Sequence, residues 1–159
     1  MILSSIYVEK NYLYSPFTFP QGNIDDLSNY SFWDFKKPIV MQAVKWDEGE
    51  QSFSHYVTNE EDIKNLLQQF DEARKMEAYS STPAEDSGAK YSIIFRQVEG
   101  FKQVEDWDHD IAQGRNLIEF RFYENYDVID VSGVHFYELE TDFRQDIVSL
   151  LYKEKWHYW

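Results

Sequence analysis

One stretch of the sequence, residues 105–110 with the letters EDWDHD, carries residue types that bind a metal ion or a basic surface. Its alternating acids resemble the start of a calcium loop, which reads D-x-D-x-D-G and ends with Glu at position 12. Counted from Asp106, position 6 is Ile111 and position 12 is Leu117, so the turn glycine and the bidentate carboxylate are both missing. Two alternatives remain for this stretch: a solvated loop, and an acidic contact surface with Trp107 as its aromatic anchor.

The four histidines do not have the spacing of a helical metal site. They are His55, His109, His135 and His157, and no two of them are four residues apart. The chain also lacks cysteine, the G-x-S-x-G nucleophile elbow and the glycine-rich loops that hold phosphates. The sequence therefore predicts no metal ligands, no cofactor and no catalytic residues.

An enzyme that uses a pair of carboxylates is the first alternative. The chain has 29 Asp and Glu residues, and Glu119 and Asp130 are one candidate pair that could face each other across a hairpin. A pair that cleaves a glycosidic bond needs a defined separation between its carboxyl groups, which sequence alone does not give. No pair stands out from the others, so we expect a protein that is not an enzyme.

The net charge of −14 is the most informative feature for function. The acids cluster: residues 46–63 hold six and no Lys or Arg, residues 99–110 hold five against one Lys, and residues 119–142 hold seven against one Arg. Such an excess repels nucleic acid and anionic membranes, and it also makes the folded chain repel itself. An acidic field accelerates the capture of a basic partner, and buried aromatic anchors prolong the complex. The composition therefore favours a basic protein as the partner.

Two stretches have the apolar spacing of amphipathic helices. The first covers about residues 59–74, with Thr58 as the N-cap and Glu61 reaching back to its amide in a capping box. The second covers about residues 142–152 and is capped by Thr141 and Asp142. Both helices have one apolar face, so both are expected to pack on the same core.

The remaining apolar runs alternate with polar residues or end at turn signals, which predicts about six or seven strands, mostly in hairpins. The strands are expected at Leu3–Val8, Ile39–Trp46, Gln51–Val57, Tyr91–Gln97, Asn116–Tyr123, Tyr126–Val131 and Val134–Leu139. We predict one α+β domain over residues 1–159, with a mostly antiparallel sheet and both helices on one face. Within it, residues 1–36 form an aromatic-rich strand and wrap, and residues 38–159 form the main body.

The first ten residues lack the basic start and the apolar run of a signal peptide. No stretch reaches the roughly 20 apolar residues that a transmembrane helix needs. We therefore expect a cytoplasmic protein that does not bind a membrane.

The sequence ends in an aromatic segment whose role has two interpretations. Trp156 and Trp159 either fold back onto the core or dock a partner or a second copy of the chain. A homodimer formed through residues 1–36 and these aromatics is the second alternative function, as part of a ligand-sensing or assembly module.

The function that we expect is a small acidic inhibitor of the immunity-protein type, which neutralises a basic partner such as a nuclease. Most basic surfaces in a cell belong to proteins that hold nucleic acid. A toxin immunity protein and a phage-encoded DNA mimic that blocks a defence nuclease would use the same physics. The expected contact residues are Asp47, Glu48, Glu50, Glu105, Asp106, Trp107, Asp108, Asp110, Trp156 and Trp159.

Overall fold

A seven-stranded antiparallel sheet forms the centre of the structure. The structure is a computed structural model that describes residues 2–24, 30–47, 50–77, 88–102, 111–131, 135–138 and 140–153. The strands are β1 (Ile39–Asp47), β2 (Glu50–Val57), β3 (Lys75–Met76), β4 (Lys90–Lys102), β5 (Ile111–Tyr123), β6 (Val128–Val131) and β7 (His135–Glu138). They lie in the order β2-β1-β4-β5-β6-β7-β3. The helices are α1 (Ile2–Asn11), α2 (Glu60–Glu72) and α3 (Thr141–Lys153), and a short 3-10 turn spans Phe32–Asp34.

The main core lies between one face of the sheet and the helices α2 and α3. Alternate residues of a strand point to opposite faces, so one residue in two along each long strand enters this core. From the sheet these include Met41, Ile93 and Phe120, each with no exposed surface. The side chains of α2 that face them are Ile63, Leu66, Leu67 and Phe70, and those of α3 are Phe143, Ile147 and Leu150.

This arrangement confirms the expected fold class, an α+β domain with a mostly antiparallel sheet and amphipathic helices on one face. The ring of Phe70 illustrates the packing, since it stacks on Phe120 at 5.5 Å and meets Tyr137 edge-on at 5.2 Å. Among the described residues, no helix has both the length and the apolar character needed to cross a bilayer.

The N-terminal part of the chain fastens the C-terminal end of α2. The side chain of Asn23, which is 8% exposed, donates hydrogen bonds to the carbonyls of Phe70 and Ala73 at 2.9 and 2.7 Å. The carboxylate of Asp71 accepts the amide of Ile24 at 2.9 Å. The two bonds from Asn23 reach carbonyls at the C-terminal end of the helix, where intrahelical donors run out, and the bond to Asp71 ties the preceding chain to the same end.

The strand expected at Leu3–Val8 is wrong, because these residues belong to helix α1. Strand propensity depends on packing against a neighbouring strand, and the sheet provides none here. The last turn of the helix contains a hydrogen bond from one of its own side chains, since the side-chain amide of Asn11 donates to the carbonyl of Tyr7 at 2.8 Å. The positive charge of Lys10 in the last turn also suits the negative end of the helix dipole.

The expected capping box of α2 is also wrong, by one residue. The N-cap is Asn59, whose side-chain oxygen accepts the amides of Glu61 and Asp62 at 2.9 and 3.2 Å. Asn and Thr are both good N-caps, and here the side chain one position later reaches the free amides.

The candidate carboxylate pair is not formed as expected across the β5–β6 hairpin. The residue opposite Asp130 is Arg121, and Glu119 lies two positions before Arg121 on the same strand. The guanidinium of Arg121 contacts the carboxylate of Glu119 at 3.2 Å. A basic residue, Arg121, therefore lies opposite Asp130, where the hypothesis required Glu119. The register of the hairpin differs by two residues from the one that would pair Glu119 with Asp130.

Candidate functional site

Most of the expected contact residues fall outside the described part of the chain. These are Glu48, Glu105, Asp106, Trp107, Asp108, Asp110, Trp156 and Trp159. For Asp47 and Glu50 the structure describes the backbone, and these two residues pair with each other at the end of the β1–β2 hairpin.

The residues that flank the two expected acidic segments lie at opposite ends of the sheet. The β1–β2 hairpin closes next to the start of β4, since Trp46 pairs with Lys90. Lys102 and Ile111, which precede and follow the stretch 103–110 in the sequence, pair with each other at the far end of β4 and β5. The stretch itself lies outside the described residues.

A two-stranded ribbon leads to the stretch 103–110, and we call it the arm. It consists of residues 98–102 of β4 and 111–114 of β5. The last link of β4 to the segment before β1 is the bond from the Val98 amide to the Pro38 carbonyl at 2.9 Å. Beyond that point β4 pairs only with β5, so the arm extends past the body of the sheet.

The arm is bent by irregular pairing at its base. The register shifts between Phe95 and Arg96 and again between Val98 and Gly100, as β-bulges do. Gly114 has φ of +149°, and a Cβ there would lie 1.9 Å from the Gln97 carbonyl oxygen. Only glycine fits this position without moving the paired strand.

One residue of the arm is held over the face of the sheet that the helices leave open. The amide of Ala112 donates to the Tyr56 hydroxyl at 3.2 Å, and its carbonyl accepts a hydrogen bond from the Arg96 guanidinium. Ala112 is 1% exposed and packs with Val40 and Val98. The arm therefore curls toward β1 and β2 on the side opposite the helices.

The base of the arm is also tied to the N-terminal part of the chain. The Arg115 guanidinium contacts the Asp34 carboxylate at 2.8 Å and lies 5.7 Å from the centre of the Tyr30 ring. The Ser31 amide donates to the same carboxylate at 3.0 Å. The Ser31 amide, followed by Arg115, lowers the pKa of Asp34 below its ordinary value. The charged form of this carboxylate is therefore favoured in the folded protein.

The first turn of α2 lies at the same end of the sheet as the arm. Strand β2 ends at Val57, opposite Met41, close to the start of β1. The ammonium of Lys37, which immediately precedes Pro38, contacts Glu60 at 2.6 Å. Because Pro38 also bonds to the base of the arm, the acids of this turn and the arm share one end of the molecule. We call it the arm end.

A cleft of about 160 Å³ separates α2 from α3. The two helices run antiparallel, since the end of α2 leads into β3, β3 pairs with β7, and α3 begins directly after β7. The lining residues are Asp62, Asn65, Leu66, Gln69, Asp146, Ser149 and Leu150. Two carboxylates, three neutral polar groups and two leucines thus surround a space that contains no basic side chain.

Sequence reasoning missed this cleft. A hydrogen bond across the cleft joins Gln69 to Asp146, residues 77 positions apart. The sequence contained only a weak indication of the cleft. Asp62 and Asp146 each precede an apolar residue of a helix stripe, so each acid lies next to the core-facing side of its helix. Nothing in the sequence states that the two stripes lie next to each other.

The described residues include no group of three or more His, Asp or Glu side chains placed to hold a metal ion. A comparison of the chain with protein-family models, with curated proteins and with solved structures found no match.

Proposed function

We propose that this protein is a small acidic inhibitor of the immunity-protein type that acts in the cytoplasm. It is not an enzyme, and it binds and neutralises a basic protein such as a nuclease. A toxin immunity protein and a phage anti-defence protein both fit this description, because both block a surface built to hold phosphate.

The observation that carries the proposal is that acids from two separate elements lie at the arm end. Glu60, Glu61 and Asp62 occupy the first turn of α2, and Glu99 lies exposed on the arm. These residues are about 40 positions apart in the sequence, and the fold brings them to one end of the sheet. Exposed acids collected in this way contribute to a field that steers a basic partner toward that end.

The acids of α2 are only partly neutralised by the chain itself. Glu60 contacts Lys37, while Glu61 is exposed and forms no ion pair within the described part of the chain. The arm adds an exposed aromatic ring, Phe101, with 43% of its surface accessible. Acids with an adjoining aromatic are suited to a partner whose cationic site normally receives a nucleic acid.

The test uses purified protein as bait in a lysate of its host at low salt, followed by nuclease assays on any basic protein that is captured. We expect a nuclease whose activity falls when the bait is added, and whose association slows as salt rises. The variant Glu61→Gln/Glu99→Gln removes one exposed charge from α2 and one from the arm. We expect its association rate to fall on the order of twofold to tenfold, with a smaller dependence on salt.

The matched control is Glu140→Gln/Asp142→Asn, which removes two exposed acids at the other end of the sheet, near the start of α3. Both double variants change the net charge by two, from −14 to −12. Equal slowing by the two variants would show that net charge, and not the arm end, directs binding. A captured partner whose activity is unchanged by the bait would contradict the inhibitor function.

A further inference from the structure

The cleft between α2 and α3 has the chemistry of a receptor for one cationic side chain. Its polar rim contains Asp62 and Asp146, which form no ion pair within the described part of the chain. Its floor contains Leu66 and Leu150, which are 1% and 9% exposed. A long basic side chain has the same division, with an apolar stem and a charged head.

The size of the cleft limits what it can hold. Pockets for cofactors and drug-sized ligands typically enclose roughly 300–1,000 Å³, whereas this one encloses about 160 Å³ and is open to solvent. The space suits a single side chain that enters from a partner surface.

The hydrogen bond from Gln69 to Asp146 occupies one acceptor of the cleft in the unbound protein. The amide nitrogen of Gln69 donates to Asp146 Oδ2 at 2.7 Å. An amide is a neutral donor, and a hydrogen bond from a charged donor to a carboxylate is roughly twice as strong. A cation entering the cleft would therefore displace Gln69 from Asp146 and gain a stronger bond than the one it breaks.

We infer that this cleft binds an arginine side chain of the basic partner, an inference that rests on the proposed function. The planar guanidinium has five donors in a fixed fork, and the cleft offers carboxylate, amide and hydroxyl oxygens on several sides. An ammonium group has three donors and is more strongly hydrated, so lysine is the weaker occupant. The arginine stem lies against Leu66 and Leu150.

The test is a titration of the isotope-labelled full chain with n-butylguanidinium, followed by nuclear magnetic resonance. We expect the largest shifts at the backbone amides of residues 62–69 and 146–150 and at the side-chain amide of Gln69. The control ligand, n-butylurea, has nearly the same shape without the charge and should leave these signals in place. n-Butylammonium should cause smaller shifts at the same positions.

Two variants locate the binding. Asp146→Asn removes one of the two negative charges of the cleft and should weaken n-butylguanidinium binding about tenfold. Asp142→Asn, one turn earlier on the same helix and outside the cleft, should leave it unchanged. Equal shifts with n-butylurea, or equal weakening by both variants, would overturn the inference.

The same variants separate this inference from the proposed function. If the captured nuclease binds Asp146→Asn as tightly as the unmodified protein, the cleft does not receive an arginine of that partner, while the inhibitor function stands. If the cleft binds n-butylguanidinium but the bait inhibits no basic protein, the inhibitor function fails and the cleft's preference for guanidinium stands.

Discussion

Helix α2 and the arm both carry acids to the arm end, but the main core supports them to different extents. The core-facing side chains of α2 are Ile63, Leu66, Leu67 and Phe70, and each is at most 1% exposed. The arm rests on a smaller apolar cluster, in which Val98 and Ala112 pack with Val40, and Ala112 also hydrogen-bonds to Tyr56 and Arg96. The arm ring of Phe101 is 43% exposed.

This difference separates two ways in which the acidic surface could be damaged. Charges on α2 move only if the hydrophobic core is disrupted, so they depend on the stability of the whole domain. Charges on the arm depend on a small apolar cluster and a few local hydrogen bonds. A change there can displace the arm while the rest of the sheet remains folded, since stability is not uniform across a structure.

The largest expected effect comes from a large-to-small substitution in the core beneath α2. Replacing Phe70 with alanine removes a ring that packs on Phe120 and Tyr137, and should lower the free energy of unfolding by about 3–5 kcal/mol. The same replacement at Phe101 removes a half-exposed ring on the arm and should cost about 1 kcal/mol or less. Urea unfolding of the two variants measures both values. Similar losses in the two variants would show that the core of the domain supports the arm as firmly as it supports α2.

A smaller effect is expected from a single methyl group at the base of the arm. The variant Gly114→Ala places a Cβ against the Gln97 carbonyl and forces alanine to adopt a positive φ, which should cost about 1–3 kcal/mol. The matched variant Gly100→Ala meets nothing within 4 Å, so it should change stability by no more than about 0.5 kcal/mol.

Hydrogen exchange tells whether the damage is confined to the arm. In Gly114→Ala the amides of residues 98–102 should exchange faster, whereas those of residues 63–70 in α2 should keep their protection. Loss of protection in both places would mean that the arm and α2 unfold together. That result would remove the distinction between a locally held arm and a core-held helix.

Much of the fold follows from local patterns in the sequence. The apolar stripe of α2 and the alternation in Ile118, Phe120 and Phe122 are consequences of the helix and strand periods. The resulting elements lie within a few residues of the expected positions. For α1 the local pattern was misleading, because strand propensity has meaning only next to another strand.

The candidate site was less predictable because it depends on contacts between distant residues. The strands β4 and β5 are longer than expected because their pairing continues past Gln97, across two register shifts, into the arm. The hydroxyl of Tyr56 meets an amide 56 residues later, and the cleft forms only after two helices have been placed side by side. Contacts between residues so far apart produce no periodic pattern in the sequence. The charge clusters predict an acidic surface, but they do not predict which acids share an end of the sheet.

The smallest expected effect is a pH dependence at the base of the arm. The pKa of Asp34 is lowered in the folded protein, so its carboxylate contributes stability above its ordinary pKa of 3.8, and this contribution is lost as the pH falls through the lowered value. The variant Asp34→Asn cannot titrate at this position. At pH 7 it should be less stable by about 0.2–1 kcal/mol, since the Arg115 contact is partly exposed, and the difference should shrink as the pH falls below 4.

Urea unfolding of Asp34→Asn and the unmodified protein at several pH values measures this difference, with Glu140→Gln as a control whose exposed acid forms no ion pair in the described part of the chain. If the arm is held locally, the pH at which the stability difference disappears is also the pH at which amides 98–102 lose protection from hydrogen exchange, while amides 63–70 remain protected. A difference that is constant over this range would show that the charge on Asp34 does not contribute to the stability of the folded protein. The arm would then be held by its other contacts, among them those of Ala112, and lowering the pH would leave it in position.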